Sequence, residues 1–232
     1  MEEFTVDLSL ICEQPKLVLH LINQALEDIN TKYGPHSNHP LAYHNRDHTY
    51  NCLTYGLDIV KLAIERQKLT QHDATLVLLG IAHHDLVHGI APGVNEEKSI
   101  QLTSQRLAST NTFSALDMKR ITELIAATVV TFENGGLVQS VKSGDYLASI
   151  VADADLSSFG CPPDQFWSQA KQILEESLGI PHFSRLQLKE FIQNELSILR
   201  RHQFYTSEAN ELLPNKPENI EFLLAMFDEL QK

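Results

Sequence analysis

An apolar run, Leu76-Val77-Leu78-Leu79-Gly80-Ile81-Ala82, passes directly into His83-His84-Asp85. A segment that apolar reads as a helix buried in a core, and it carries an acid in with it. An unpaired buried carboxylate costs several kcal/mol, so any fold built on this segment must bring it a partner. Two further stretches offer partners of the right kind: Tyr43-His44-Asn45-Arg46-Asp47-His48 and Ala152-Asp153-Ala154-Asp155-Leu156-Ser157. Each lies in or at the end of a segment with helical patterning. Imidazoles and carboxylates gathered on helices are best satisfied by a divalent cation.

Helical periodicity dominates the rest of the chain. Leu17, Leu19, Leu21, Ile22, Ala25, Leu26 and Ile29 support a first helix ending near Tyr33-Gly34-Pro35, and 34–40 reads as a loop. A second helix is expected from about Asp47 to Gln67. The third opens at Thr70-Gln71-His72-Asp73, which has capping-box spacing, and runs to about His88, where Gly89 to Gly93 stop it. Further helices are expected near 95–109, 114–132 and 144–158, with a Gly135-Gly136 turn before the last of these. Others follow from Pro162-Pro163 to Leu178, over about 184–204, and after Pro217. No segment shows period-two alternation. The expectation is an all-α bundle forming one domain over 1–232, with the motifs in a core of about 40–160 and a helical C-terminal extension of about 162–232. Ile220, Leu223, Leu224, Phe227 and Leu230 on the last helix pack within the domain or across a homodimer.

Composition narrows the function classes. The 232 residues suffice for one well-buried domain, and 43% hydrophobic content suits a globular chain. A net charge of −12 argues against a nucleic-acid polymer or an acidic membrane as partner. Cys12, Cys52 and Cys161 are odd in number and widely spaced, as expected of reduced thiols. The acidic N-terminus has no apolar signal core and no run approaches a membrane span, so the expected location is cytoplasmic.

Spacing says how the clusters can meet. His44 and His48 are four apart and share a helix face if the helix begins early enough. His84 and His88 have the same relation, with Asp85 three before His88. Asp153 and Asp155 differ by two positions, about 200° of helical rotation, so only one of them can face a metal. Geometry alone does not choose between them.

These motifs together resemble the HD superfamily of metal-dependent phosphohydrolases. Tyr43-His44-Asn45-x-x-His48 and Ala154-Asp155-Leu156-Ser157 are also similar to segments of cyclic-nucleotide phosphodiesterases. After the His-Asp pair, Gly89 stands one place earlier than in those enzymes. Asn95-Glu96-Glu97-Lys98-Ser99 and Asp153-Ala154-Asp155-Leu156 resemble segments of small bacterial HD phosphohydrolases. The resemblance spans roughly residues 40–210. It implies a metal held by His48, His84, Asp85 and Asp155, and it selects Asp155 over Asp153. The ion would be Mn, Fe, Zn, Co or Mg, one or two in number, with Asp85 bridging if there are two. It also implies that His44 protonates a leaving oxygen. The implied substrate is a small phosphorylated molecule, with a nucleotide favoured.

Other residues have two readings. His88 would contact substrate or a second metal. Glu96 or Glu97 would orient an attacking water, or would equally be the acidic first turn of a helix. Arg46 is the best placed phosphate clamp, against the more usual solvated arginine. His83 is expected only to pack. Competing functions are a di-iron oxygenase, which needs more histidines than His88 alone supplies, and a non-catalytic ligand-sensing module.

Overall fold

Side-chain caps fix where most helices begin. The computed structural model describes residues 3–133 and 136–232. Its elements are α1 (Pro15–Tyr33), α2 (Arg46–Glu65), α3 (Gln71–His83), α4 (Val94–Thr110), α5 (Ala115–Ala126), β1 (Val130–Glu133), β2 (Gly136–Gln139), α6 (Tyr146–Asp155), α7 (Pro163–Leu178), α8 (Arg185–Arg201), α9 (Ser207–Leu212) and α10 (Lys216–Glu229). A turn of 3-10 helix, Ser157–Gly160, follows α6. The capping box expected at Thr70 and Asp73 is present, and Ser114 with Asp117 and Ser184 with Gln187 form two more.

The architecture is an all-α, single-domain helical bundle with α3 at its centre. Every residue of α3 from Ala74 to His83 is buried, which is why its pattern shows no polar face. It packs against α1, α2, α5 and α6. Gly56 permits the closest of these approaches, because a Cβ there would meet Ile81 Cδ1 at 2.5 Å and Ala154 Cβ at 3.1 Å. That one position draws α2, α3 and α6 together, and these elements carry the three motifs. Helices α7, α8 and α10 pack over the side formed by the 3-10 turn and β2. On α10, Leu223 is buried and Ile220, Phe227 and Leu230 lie against the same core, whereas Leu224 is exposed. The three cysteines are free and buried. No helix among the described residues is long and apolar enough to cross a membrane.

The structure departs from expectation in three places. Helix α3 stops at His83, well short of His88. The amides that would continue it are captured elsewhere: Val87 N–H donates to Ser99 Oγ at 3.0 Å and His88 N–H to Tyr33 Oη at 2.9 Å. His84 and His88 therefore do not share a helix face. Helix α2 begins at Arg46, with Asn45 as its cap, so His44 lies before the helix. Finally, the stretch expected to be helical to 132 ends at Ala126 and continues as an antiparallel hairpin, with Val130 opposite Gln139. Val129, Val130 and Thr131 are β-branched and favour strand. The expected Gly135-Gly136 turn lies partly outside the described residues; Gly136 is the first residue of β2.

Candidate metal centre

Four side chains from three helices converge beneath one cavity. His48 comes from the first turn of α2, His84 closes α3, Asp85 follows it, and Asp155 ends α6. His48 Nε2 lies 3.5 Å from Asp85 Oδ2 and 3.4 Å from Asp155 Oδ1. His84 Nε2 lies 3.3 Å and 3.4 Å from the same two atoms. Four donors bound at ~2.1 Å around a tetrahedral ion stand ~3.4 Å apart, so the spacing is that of a ligand shell. Moreover, His84 Nε2 and Asp85 Oδ2 are buried without a hydrogen-bond partner. The two atoms lie 3.3 Å apart, and a cation held between them would resolve both orphans.

Electrostatics agrees with that geometry. Burial opposes ionisation of Asp85, yet the His84 charge beside it holds its carboxyl well below the usual range. Burial likewise opposes Asp155, and the imidazoles of His48 and His84 beside it bring it down. In return, His84 is raised well above the ordinary imidazole value, against its own burial, by Asp85 and Asp155. A proton on His84 thus occupies the electrostatic role that a metal would fill.

Surrounding groups aim the donors. His84 Nδ1–H donates to the Ile81 carbonyl at 2.7 Å, leaving Nε2 toward the centre. Gln139 on β2 donates from Nε2 to Asp155 Oδ2 at 2.9 Å. Cys52, one turn along α2 from His48, has its Sγ 3.6 Å from His48 Nε2, and together with His48, His84 and Asp155 it forms a group compact enough to chelate an ion. Asp85 is the stronger fourth donor, since its orphaned oxygen already touches both imidazoles, whereas burial holds the Cys52 thiol neutral.

Asp153 points to the other side of α6. Its oxygens accept from the N–H groups of Tyr205 and Thr206 at 2.8 and 2.9 Å and from Thr206 Oγ1 at 2.7 Å. It braces the segment before α9 and takes no part in the cluster.

His44 reaches the cavity by a different anchor. Glu176 on α7 accepts from His44 Nδ1 at 2.6 Å through Oε1, and from the N–H groups of Tyr43 and His44 at 2.8 and 2.9 Å through Oε2. Burial works to lower the His44 pKa, but the Glu176 hydrogen bond and the Asp85 and Asp155 charges raise it overall. His88 stacks on His44 with ring centroids 3.6 Å apart and 12° between planes. Burial pushes His88 down to about 4, so the two stacked rings are shifted in opposite directions. His44, His88 and Glu176 also lie close enough together to hold an ion.

The cavity above the cluster has a volume of about 440 Å³. His44, His48, His84, Asp85, His88 and Asp155 all line it, as does Glu96. Glu96 Oε2 accepts the Gly93 N–H at 2.6 Å, which makes it the first-turn cap of α4 as well. Glu97 and Lys98 are exposed. Asn95 and Ser99 brace the loop after Asp85: Asn95 Oδ1 accepts from the N–H groups of Ile90 and Ala91, and Ser99 Oγ from that of Val87. Arg46 is not brought to the cavity; its guanidinium lies over the Tyr50 ring, 5.4 Å from the centroid. His83 is buried with Nδ1 bonded to the Leu79 carbonyl, as a packing residue would be.

Sequence reasoning missed Glu176, Gln139 and Cys52. Of these, Cys52 carried a local signal in its i, i+4 spacing from His48.

No family model matches the chain, and no curated protein matches it in sequence. Its fold is similar to that of the phosphodiesterase domain of Salpingoeca rosetta rhodopsin phosphodiesterase, known from a crystal structure. The match has a TM-score of 0.64 and 15% identity, over 91% of this chain and 82% of the other. At that identity the likeness is one of fold, and what this chain contributes of its own is a cluster of His, Cys and Asp side chains able to chelate a metal.

Proposed function

We propose that the protein is a metal-dependent phosphohydrolase of HD type, cleaving a phosphomonoester or phosphodiester bond of a small molecule, with a nucleotide as the favoured substrate. The observation that carries this reading is the convergence of His48, His84, Asp85 and Asp155 at 3.3–3.5 Å, with orphaned donor atoms, under a cavity of nucleotide size. The fold likeness to a phosphodiesterase domain supports it.

The four residues would hold Mn, Fe, Zn, Co or Mg. Such an ion, when bound, supplies a Lewis acid for the phosphoryl oxygen and a water acidic enough to attack near neutral pH. The protein's own groups do the rest. Asp85 and Asp155 hold fixed negative charge at the base of the cavity. Protonated His44, positioned by Glu176, donates its proton from Nε2 to the departing oxygen. His88 keeps the His44 ring in plane. The apolar walls exclude bulk water.

The test is metal analysis of natively purified protein beside hydrolysis of nucleotides and of bis(p-nitrophenyl) phosphate. One or two equivalents of metal, lost together with hydrolysis in Asp85→Ala and Asp155→Ala, is the expected result. Hydrolysis surviving both substitutions in metal-depleted protein refutes the mechanism. Two irons with oxygen consumption would favour an oxygenase, for which His44, His88 and Glu176 are the available second set of donors.

A further inference from the structure

The donor cluster contains a sulfur that the chemistry above leaves idle. Cys52 stands one turn beyond His48 on α2 and is buried. Its Sγ lies against the His48 ring, 3.6 Å from Nε2 and 3.7 Å from Nδ1. The sulfur, one ring nitrogen each of His48 and His84, and a carboxylate oxygen of Asp155 all lie within 4.8 Å of one another. A sulfur ~2.3 Å and a nitrogen ~2.1 Å from a shared ion stand ~3.6 Å apart at the tetrahedral angle, so the contact with Nε2 has the spacing of joint ligation. A buried cysteine alone would be a small apolar filler. What sets this one apart is its company, because His84, only 3% exposed, brings an Nε2 without a hydrogen-bond partner into the same group. Among the described residues, His48, His84 and Asp155 line the cavity and Cys52 does not. The sulfur therefore meets the centre from the protein side and leaves the cavity side open for water and substrate.

We propose that Cys52 is a metal ligand, adding a sulfur donor to His48, His84, Asp85 and Asp155, and that it selects a thiophilic ion (Zn, Co or Fe) over Mg or Mn. The inference rests on the reading of this cluster as a metal centre, and it narrows the ions that the centre takes. Imidazoles and carboxylates together suit every ion in that range, whereas thiolate is a soft donor from which Mg and Mn gain little. Burial and the charges of Asp155 and Asp85 favour the protonated thiol. On ligation the sulfur releases that proton to solvent and binds as thiolate. Only an ion that bonds well to sulfur recovers the cost of the release. Hard ions leave the thiol protonated and sit on the nitrogen and oxygen donors alone.

Cobalt gives a readout independent of catalysis, since a cobalt–thiolate bond adds a near-ultraviolet charge-transfer band to the visible bands of the bound ion. The full chain, depleted of metal, is titrated with Co(II) and followed by absorption, and its Zn and Mn affinities are measured by competition with a chelator. The expected result is a charge-transfer band in the native protein and in Cys161→Ser that is absent from Cys52→Ser. Cys52→Ser should also lose Zn affinity by at least the ~10–100-fold that a lost supporting residue costs, with Mn affinity unchanged. Visible cobalt bands without the charge-transfer band in the native protein overturn the proposal and leave the metal centre standing. A band that survives in Cys52→Ser, or equal losses of Zn and Mn affinity, overturns it as well. Failure of the native protein to take up any cobalt refutes the centre itself, and the part of Cys52 with it. The spectrum of the native protein decides the matter even where Cys52→Ser does not fold.

Discussion

His44 and Glu176 show how one contact defines a chemical role. The carboxylate is fixed by two backbone N–H groups and can turn only toward the imidazole. With Glu176→Gln the charge is lost while the shape is kept, so the His44 pKa falls. The alkaline limb of the pH–rate profile should move to lower pH, and kcat should drop by ~10²-fold; steady-state kinetics across pH would show both. Glu195 gives a prediction of opposite sign. Its pKa in the folded protein, about 7, lies above its ordinary value of 4.5. The folded state therefore holds this proton more tightly than the unfolded chain. The stability it contributes is full below 4.5 and is lost as pH rises through about 7, by an amount on the order of 3 kcal/mol. Glu195→Gln should flatten that decline and be the more stable protein at about pH 8, as read from urea midpoints.

At the level of elements, the hairpin is the part that departs most from expectation, and it earns its position through Gln139. Four-residue strands are too short to display alternation, and Gln139 is one amide among many polar residues in the sequence. Its contact with Asp155 exists only because β2 lies beside the end of α6. Gln139→Ala should weaken metal binding ~10–100-fold with little change in the thermal midpoint of the metal-free protein, as titration with Mn or Zn would register. By contrast, the side chains that converge beneath the cavity were legible. A His-Asp pair at the end of an apolar run, a histidine at 48 and an aspartate at 155 require only local pattern and motif. Their partners were not. Glu176 lies 132 residues from His44 and sits next to Glu175, so in one dimension it reads as part of a solvated helix face. The end of α3 is illegible in sequence for the same reason, since Tyr33 and Ser99, which stop it, come from α1 and α4.

Across the whole molecule, the donors come from positions 48, 84, 85 and 155, so a bound ion would tie together helices separated widely along the chain. Anything bound by the folded state alone adds RT ln(1 + [L]/Kd) to stability, ~2.7 kcal/mol at a hundredfold excess over Kd. Chelation should therefore lower the thermal midpoint by several degrees, and the same treatment should leave Asp85→Ala unchanged; differential scanning calorimetry decides this. The converging side chains come from α2, α3 and α6, whereas Glu176 belongs to α7, which packs against the 3-10 turn and α10. Substitutions confined to α7 would therefore alter the setting of His44 through Glu176 while leaving the converging side chains of α2, α3 and α6 in place.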